Sequence, residues 1–485
     1  MPLRIDPFRV GPLAGCLAPL DLEPDLAAFA AQRLTRPLIW LDSARRHPVT
    51  GRWSLLGCDP WLTLTCRGGV TELRTSAATQ RRRTHPLTAL HETLARYQTG
   101  SSLGAAGRVV GLMGFLSYEM NRWIERLPAP QPSSRELPDM LWFGMRLAVL
   151  VDHAEHRSWV VSVADPHAPP AAARRQARET LDRALSELTA PEAIPPDAAS
   201  WSDLRHTSTQ PEFETMVRRA LAYIRAGDIF QANLSQRFTA SWRGSAFRLY
   251  QALRRINPSP FACFLSSEEL SVVSCSPERL VRVQEGRADT RPIAGTRPRG
   301  MTPAEDALQS LELLLSEKER AEHVMLVDLA RNDLGRVCAA GSVGVTELMA
   351  LEAYSHVHHI VSDVSGELRP AVGAAEVIRA LFPGGTITGC PKVRCMEIVR
   401  ELEPVARGLY TGSLGYLGFD GTMDLNIAIR TMTIQQEQLS FHAGAGIVAD
   451  SDPEREYHET LAKAAALRAA LEAVNDPEPL HAGAG

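Results

Sequence analysis

A strand that runs into glycines and then into a capped helix constrains this chain most. It spans Gly444-Ala445-Gly446-Ile447-Val448-Ala449-Asp450-Ser451-Asp452-Pro453-Glu454 and continues to Lys463. Phe441 to Gly446 reads as the strand, and its glycines leave backbone N–H groups open to an approaching anion. Ser451 or Asp452 can cap free N–H groups, Pro453 fits a first turn, and Glu454 follows Ser451 at capping-box spacing. Along that helix Glu456, Glu459 and Lys463 recur at spacings of three and four, so they share one face. Two carboxylates and an ammonium beside a glycine turn suggest a metal ion and an anionic substrate.

A second stretch, Ser316 to Asp333, repeats the pattern with Glu319 and Glu322 one turn apart. Mg²⁺ takes oxygen ligands in an octahedron, usually one or two carboxylates plus water and substrate oxygens. One Glu from each helix, Glu322 and Glu459, with Glu319 and Glu456 beside them, would build such a site.

These stretches resemble the chorismate-utilising enzymes, the family of component I of anthranilate synthase and of aminodeoxychorismate synthase. The resemblance runs strongly from Arg205 to Leu471 and weakly before it. It implies an α/β (α+β) fold of large antiparallel sheets flanked by helices, a Mg²⁺ cofactor and chorismate as substrate. No internal repeat is visible, although the family core is pseudo-symmetric.

Composition excludes other classes. At 485 residues the chain suits one large domain or two ordinary ones, and its formal net charge of -4 argues against nucleic acid as the main partner. No run of 18 or more apolar residues predicts a membrane span. Met1 to Pro7 has no signal-peptide core, so we expect a cytoplasmic protein with no membrane partner. The 8 cysteines form no Cys-x-x-Cys pair and read as reduced and packed.

The chain divides into a sheet-rich lobe over 1–164, a helical and Pro-rich linker over 165–204, a catalytic unit over 205–475 and a tail over 476–485. Strands are expected at Pro37–Ser43, Arg52–Gly57, Gly111–Glu119 and Arg146–Asp152. Ala171–Leu188 is helix-prone, and Pro191, Pro195 and Pro196 mark the linker. Glu212–Ala226 is amphipathic, and a strand follows from Ile229 to Phe238. Leu41-Asp42-Ser43 reads as a strand end and turn; the resemblance also implies a tryptophan pocket there, regulatory in anthranilate synthases and structural in some relatives.

Four side chains are catalytic by resemblance. Gln231 stands where water-adding relatives place a general-base Lys. Gln cannot deprotonate water, whereas neutral ammonia needs no such base, so Gln231 favours ammonia as nucleophile. Glu278, in Ser-Cys-Ser-Pro-Glu-Arg, would protonate the departing C4 hydroxyl, which requires a raised pKa. His359 matches a His that assists pyruvate elimination and orients ring groups. On an extended run His356 and His358 share one face and His359 the other, a poor arrangement for one metal. Thr388 lies in Pro383-Gly384-Gly385-Thr386-Ile387-Thr388, a substrate loop entering a helix at Lys392–Leu402. Tyr410 and Arg430 would hold the enolpyruvyl carboxylate, Arg430 from the end of a strand over Asp424–Thr431, since a guanidinium grips a carboxylate with two hydrogen bonds. Gly444, Gly446 and Lys463 complete the substrate-binding set.

Ala294 departs from the family pattern. Many aminodeoxychorismate synthases carry a Lys here, thought to attack the ring at C2, and Ala cannot. Anthranilate synthases carry Ala. Against that, Asn233 in Gln-Ala-Asn-Leu, Ile387-Thr388-Gly389 and Asp424-Leu425-Asn426 lean towards amination with the enolpyruvyl group retained. The favoured reading is therefore chorismate plus ammonia to 4-amino-4-deoxychorismate, the precursor of 4-aminobenzoate and folate. The alternative is anthranilate plus pyruvate for tryptophan synthesis; from another class, a non-catalytic regulatory relative. No glutaminase elbow, Gly-x-Cys-x-Gly, is present, so ammonia would come from a separate glutamine amidotransferase, and a separate aminodeoxychorismate lyase would finish 4-aminobenzoate.

Overall fold

The computed structural model describes residues 4–47, 49–99, 103–129, 137–189, 198–353 and 357–474. The Pro191, Pro195 and Pro196 signals, Tyr354 to His356 and the tail over 476–485 lie outside the described residues. The fold is mixed α/β, and every strand pairing among the described residues is antiparallel. The strand Leu38–Asp42 pairs with Trp53–Arg67 on one side and with Phe261–Ser266 on the other. Gly111–Leu116 likewise pairs with Ser413–Gly418. The N-terminal and C-terminal stretches therefore share hydrogen-bonded sheets, and a boundary at residue 164 divides chain rather than sheet.

The sheet that carries the site pairs Gln231–Arg243 with Gln438–Ile447, matching Asn233 to Gly446 and Ser235 to Gly444. Side chains alternate across a strand. One face presents Ala232, Leu234, Phe238, Phe441, Ala445 and Ile447 to buried apolar clusters. Phe238 and Phe441 stack there at 4.9 Å. The helices Gln210–Arg225, Ala246–Ile256 and Pro453–Val474 supply the covering residues Phe213, Val217, Phe247, Leu467 and Leu471. The other face presents Gln231, Asn233, Ser235, His442, Gly444 and Gly446. A register slip of one residue would exchange the faces, and the apolar packing prevents it.

Two local expectations change. The helix Pro453–Val474 is capped by Asp452, whose Oδ1 accepts the Arg455 N–H at 3.0 Å. Ser451, one residue too early, accepts the Val448 N–H at 3.0 Å instead of pairing with Glu454. The strand expected over Asp424–Thr431 is two, Met423–Asn426 and Thr431–Gln435, with Arg430 between them at φ 50°. Met423–Asn426 pairs with Ser413–Gly418 and Arg279–Gln284, whereas Thr431–Gln435 pairs with Ser271–Ser276 and Gln438–Ile447. The chain changes partners, and a left-handed residue makes the turn at a cost of roughly 1–2 kcal/mol. No helix among the described residues is long and apolar enough to cross a membrane. All eight cysteines are free thiols.

Candidate active site

The two glycines of the polar face are floor positions that other side chains approach closely. A Cβ on Gly444 would lie 2.7 Å from Tyr410 Oη and from the Leu234 carbonyl, and 2.8 Å from Asn233 Oδ1. A Cβ on Gly446 would lie 2.9 Å from Gln231 Nε2. Neither glycine needs an unusual φ; each is required by what stands over it. Tyr410 is buried and stacks on His442 at 5.3 Å, and burial pushes its hydroxyl well above the usual tyrosine range.

Gln231, 4% exposed, donates from Nε2 to Glu322 Oε1 at 2.8 Å. That bond orients the amide, leaving Gln231 Oε1 buried without a donor among the described residues, as is Asn233 Oδ1. A buried acceptor left unsatisfied costs about 1–3 kcal/mol, so two at one wall mark a place where a donor belongs.

Glu278 is 5% exposed, and burial raises its pKa to about 7. A hydrogen bond from Thr386 Oγ1 at 2.7 Å, the Ile293 backbone and the charges of Lys463 and Arg430 oppose that rise. His359 is buried and held down to about pKa 4, mainly by burial. Its Nδ1 faces the Gly295 carbonyl at 3.2 Å, so the neutral ring carries its proton on Nδ1 and leaves Nε2 as an acceptor. Arg430 and Lys463 depress His359 as well as Glu278, which puts all four in one electrostatic neighbourhood.

The remaining expected residues are placed as follows. Lys463, 49% exposed, pairs with Glu459 at 2.6 Å. Glu319 pairs with Arg297 at 3.0 Å and sits against Gly295. Glu456 is half-buried on the helix that carries Glu459. Arg430 Nη1 donates to Asn257 Oδ1 at 3.4 Å. Thr388 is buried; its hydroxyl donates to the Gly384 carbonyl and its own carbonyl accepts the Asn233 N–H at 3.1 Å. The loop hydroxyl that reaches Glu278 belongs to Thr386. Sequence reasoning missed it because loop spacing does not say which of two threonines faces inward. His358 turns away to Asp306 Oδ1 at 2.8 Å, whereas His442 stands on the polar face against Tyr410 and the Ser235 hydroxyl.

No group of three or more His, Cys, Asp or Glu side chains close enough to hold a metal occurs among the described residues. The two carboxylates expected to hold Mg²⁺ are engaged by side chains of this chain, Glu322 by Gln231 Nε2 at 2.8 Å and Glu459 by Lys463 at 2.6 Å. Leu41, Asp42 and Ser43 line a separate cavity of about 160 Å³ with Trp53, Arg108 and Pro260.

A pH effect on stability follows from Glu278. Its folded pKa is raised, so its contribution is fully present below the unfolded value of about 4.5 and is lost as pH rises through about 7. Glu119, partly buried and also raised to about 7 by desolvation, adds to the same loss. The stability of wild type relative to Glu278→Gln is expected to fall by on the order of 3 kcal/mol between about pH 4 and pH 8. Denaturant titrations of both proteins across that range check it; parallel curves would refute it.

The model of the chorismate binding enzyme family matches residues 50–469. Anthranilate synthase component 1 of Synechocystis sp. is 40% identical, over 94% of this chain and 95% of its own. Aminodeoxychorismate synthase component 1 of Bacillus subtilis is 41% identical, over 89% and 93%. The crystal structure of anthranilate synthase component I from Streptococcus pneumoniae TIGR4 superposes with a TM-score of 0.77 at 35% identity, covering 87% of this chain and 93% of that one.

Proposed function

Since this chain belongs to the chorismate binding enzyme family, we propose that it is the synthase component that aminates chorismate to 4-amino-4-deoxychorismate. The observation that carries amination is the pair of buried amide oxygens, Gln231 Oε1 and Asn233 Oδ1, beside the glycine floor. They are acceptors suited to N–H groups, and Gln231 cannot serve as the base that activates water. Relatives named as component 1 of such synthases support a partner that supplies ammonia, for which a glutamine amidotransferase is the fitting class.

Tyr410 and Arg430 grip the enolpyruvyl carboxylate, and the backbone N–H groups near Gly444 and Gly446 receive the ring carboxylate. Glu322 and Glu459, with Glu319 and Glu456 near them, would hold Mg²⁺, which when bound supplies charge for the ring carboxylate. Glu278 gives its proton to the C4 hydroxyl, which leaves as water. Ammonia forms the new C–N bond and releases one proton, which restores Glu278. Thr386 orients Glu278 for both transfers.

The second reading, anthranilate and pyruvate as products, is favoured by Ala294, which is 8% exposed and offers no amine to the ring. The Nε2 acceptor of His359 would then assist pyruvate elimination. Product analysis separates the two. With chorismate, Mg²⁺ and ammonium salt, we expect a product that added aminodeoxychorismate lyase converts to 4-aminobenzoate. Anthranilate with pyruvate, formed without lyase, would overturn the first reading for the second. No turnover and no chorismate binding would favour a non-catalytic relative.

A further inference from the structure

One buried ion pair lies behind the site rather than in it. Arg407 and Glu403 are each 3% exposed. The guanidinium donates from Nε to Glu403 Oε2 at 2.9 Å and from Nη2 to Oε1 at 2.7 Å. Its other bonds run to three separate segments. Nη2 donates to the Asn233 carbonyl at 2.6 Å, and Nη1 to the Ile387 carbonyl at 3.1 Å and to Thr411 Oγ1 at 3.2 Å. Glu403 Oε1 also accepts the Ser235 N–H at 2.8 Å and the Ser235 hydroxyl at 2.9 Å. Every one of these segments carries a group of the site. Asn233 and Ser235 continue the strand of Gln231. Ile387 follows Thr386, which donates to Glu278. Thr411 follows Tyr410, whose ring lies 5.6 Å from the guanidinium.

We infer that Arg407, held flat by Glu403, is a positioning residue that fixes the Gln231 strand, the Thr386 loop and the Tyr410 turn relative to one another. It touches no substrate. The planar fork is what the role requires: one rigid group donates to three backbone segments at fixed angles, and Lys has a single rotating head that cannot. The inference rests on the reading in which Glu278 and Tyr410 act on chorismate. Its consequence is that the proton donor depends on a side chain it does not contact, and the Tyr410 grip on one that meets only the face of its ring.

Arg407→Lys keeps the charge beside Glu403 and is the primary test; Glu403→Gln is the second variant should the first fail to fold. Two readouts are needed on the full chain. Steady-state kinetics with chorismate and ammonium salt should show kcat and KM both impaired, with kcat/KM down by about 10²-fold, as for a misplacement on the order of 1 Å. The group near pH 7 in the kcat/KM profile should move upward, because a loosened Thr386 donates less well to Glu278. Thr386→Val should give the same shift, and the double variant no further shift. Hydrogen exchange of the free protein should quicken together around 231–236, 383–389 and 407–412, and nowhere else. Unchanged exchange in those segments, or a uniform rise across the chain, overturns the inference whether or not chorismate is turned over. A wild type without turnover overturns the functional reading alone, and exchange still decides the role of Arg407.

Discussion

Glu278→Gln is expected to lower turnover of chorismate by about 10²–10⁴-fold, the range for loss of a general acid, while leaving chorismate bound. The amide is nearly isosteric, and its oxygen still accepts the Thr386 hydroxyl that now bonds Glu278 Oε1 at 2.7 Å. What it lacks is a transferable proton. In the wild type that proton is present at neutral pH because burial raises the carboxyl to about 7 against the opposing pull of Thr386, Lys463 and Arg430. The acid form is lost as pH rises through that value, so kcat/KM should fall on the alkaline side. With ammonium salt, rising pH also supplies more neutral ammonia, and the two trends together give a bell. The variant should show only the rising limb. Steady-state rates across pH, with chorismate binding measured by equilibrium dialysis, check both parts. A variant as fast as wild type would remove Glu278 from the chemistry.

The glycine floor yields the second large effect, as a contrast between neighbours. Gly444→Ala drives a Cβ to 2.7 Å from the Leu234 carbonyl, which is backbone held in the paired strand and cannot retreat. Overpacking of that kind costs about 1–3 kcal/mol and displaces Tyr410 as well. The variant should be destabilised and should bind chorismate poorly. Gly446→Ala meets only Gln231 Nε2, the far end of a movable side chain, at 2.9 Å. Its stability should stay near wild type. Its activity should not, because the Gln231 amide would be pushed off Glu322 Oε1, now 2.8 Å away, and misplacement on the order of 1 Å costs about 10²-fold. Denaturation midpoints and kcat/KM for the two variants decide it. Equal losses of stability would mean that the floor is packing alone.

Much of this was written locally in the chain. The helices Lys392–Leu402 and Pro453–Val474 begin where Pro and capping residues place them, and the glycine strand runs Gln438–Ile447. Glu278, Gln231, Tyr410 and His359 were expected at the site from the family resemblance that the surrounding residues carry. Less legible were the residues whose importance lies in a contact between distant segments. Arg407 reads as an ordinary charge after Ala406, yet it joins residues near 233, 387 and 411. Arg430 reads as a strand end, yet it is the left-handed turn at which the chain changes sheet partners.

The sequence by itself determined periodicity, caps, turns and the chemical types available: carboxylates on two helices, glycines in a strand, and a Gln where a base would stand. These follow from interactions within a few residues, which local order specifies. Only the tertiary structure decided which of those groups meet. Thr386 rather than Thr388 reaches Glu278, Gln231 turns its amide to Glu322, and the burial that raises Glu278 also lowers His359. Desolvation and long-range hydrogen bonds depend on what packs around a group from elsewhere in the chain, and no local pattern encodes that.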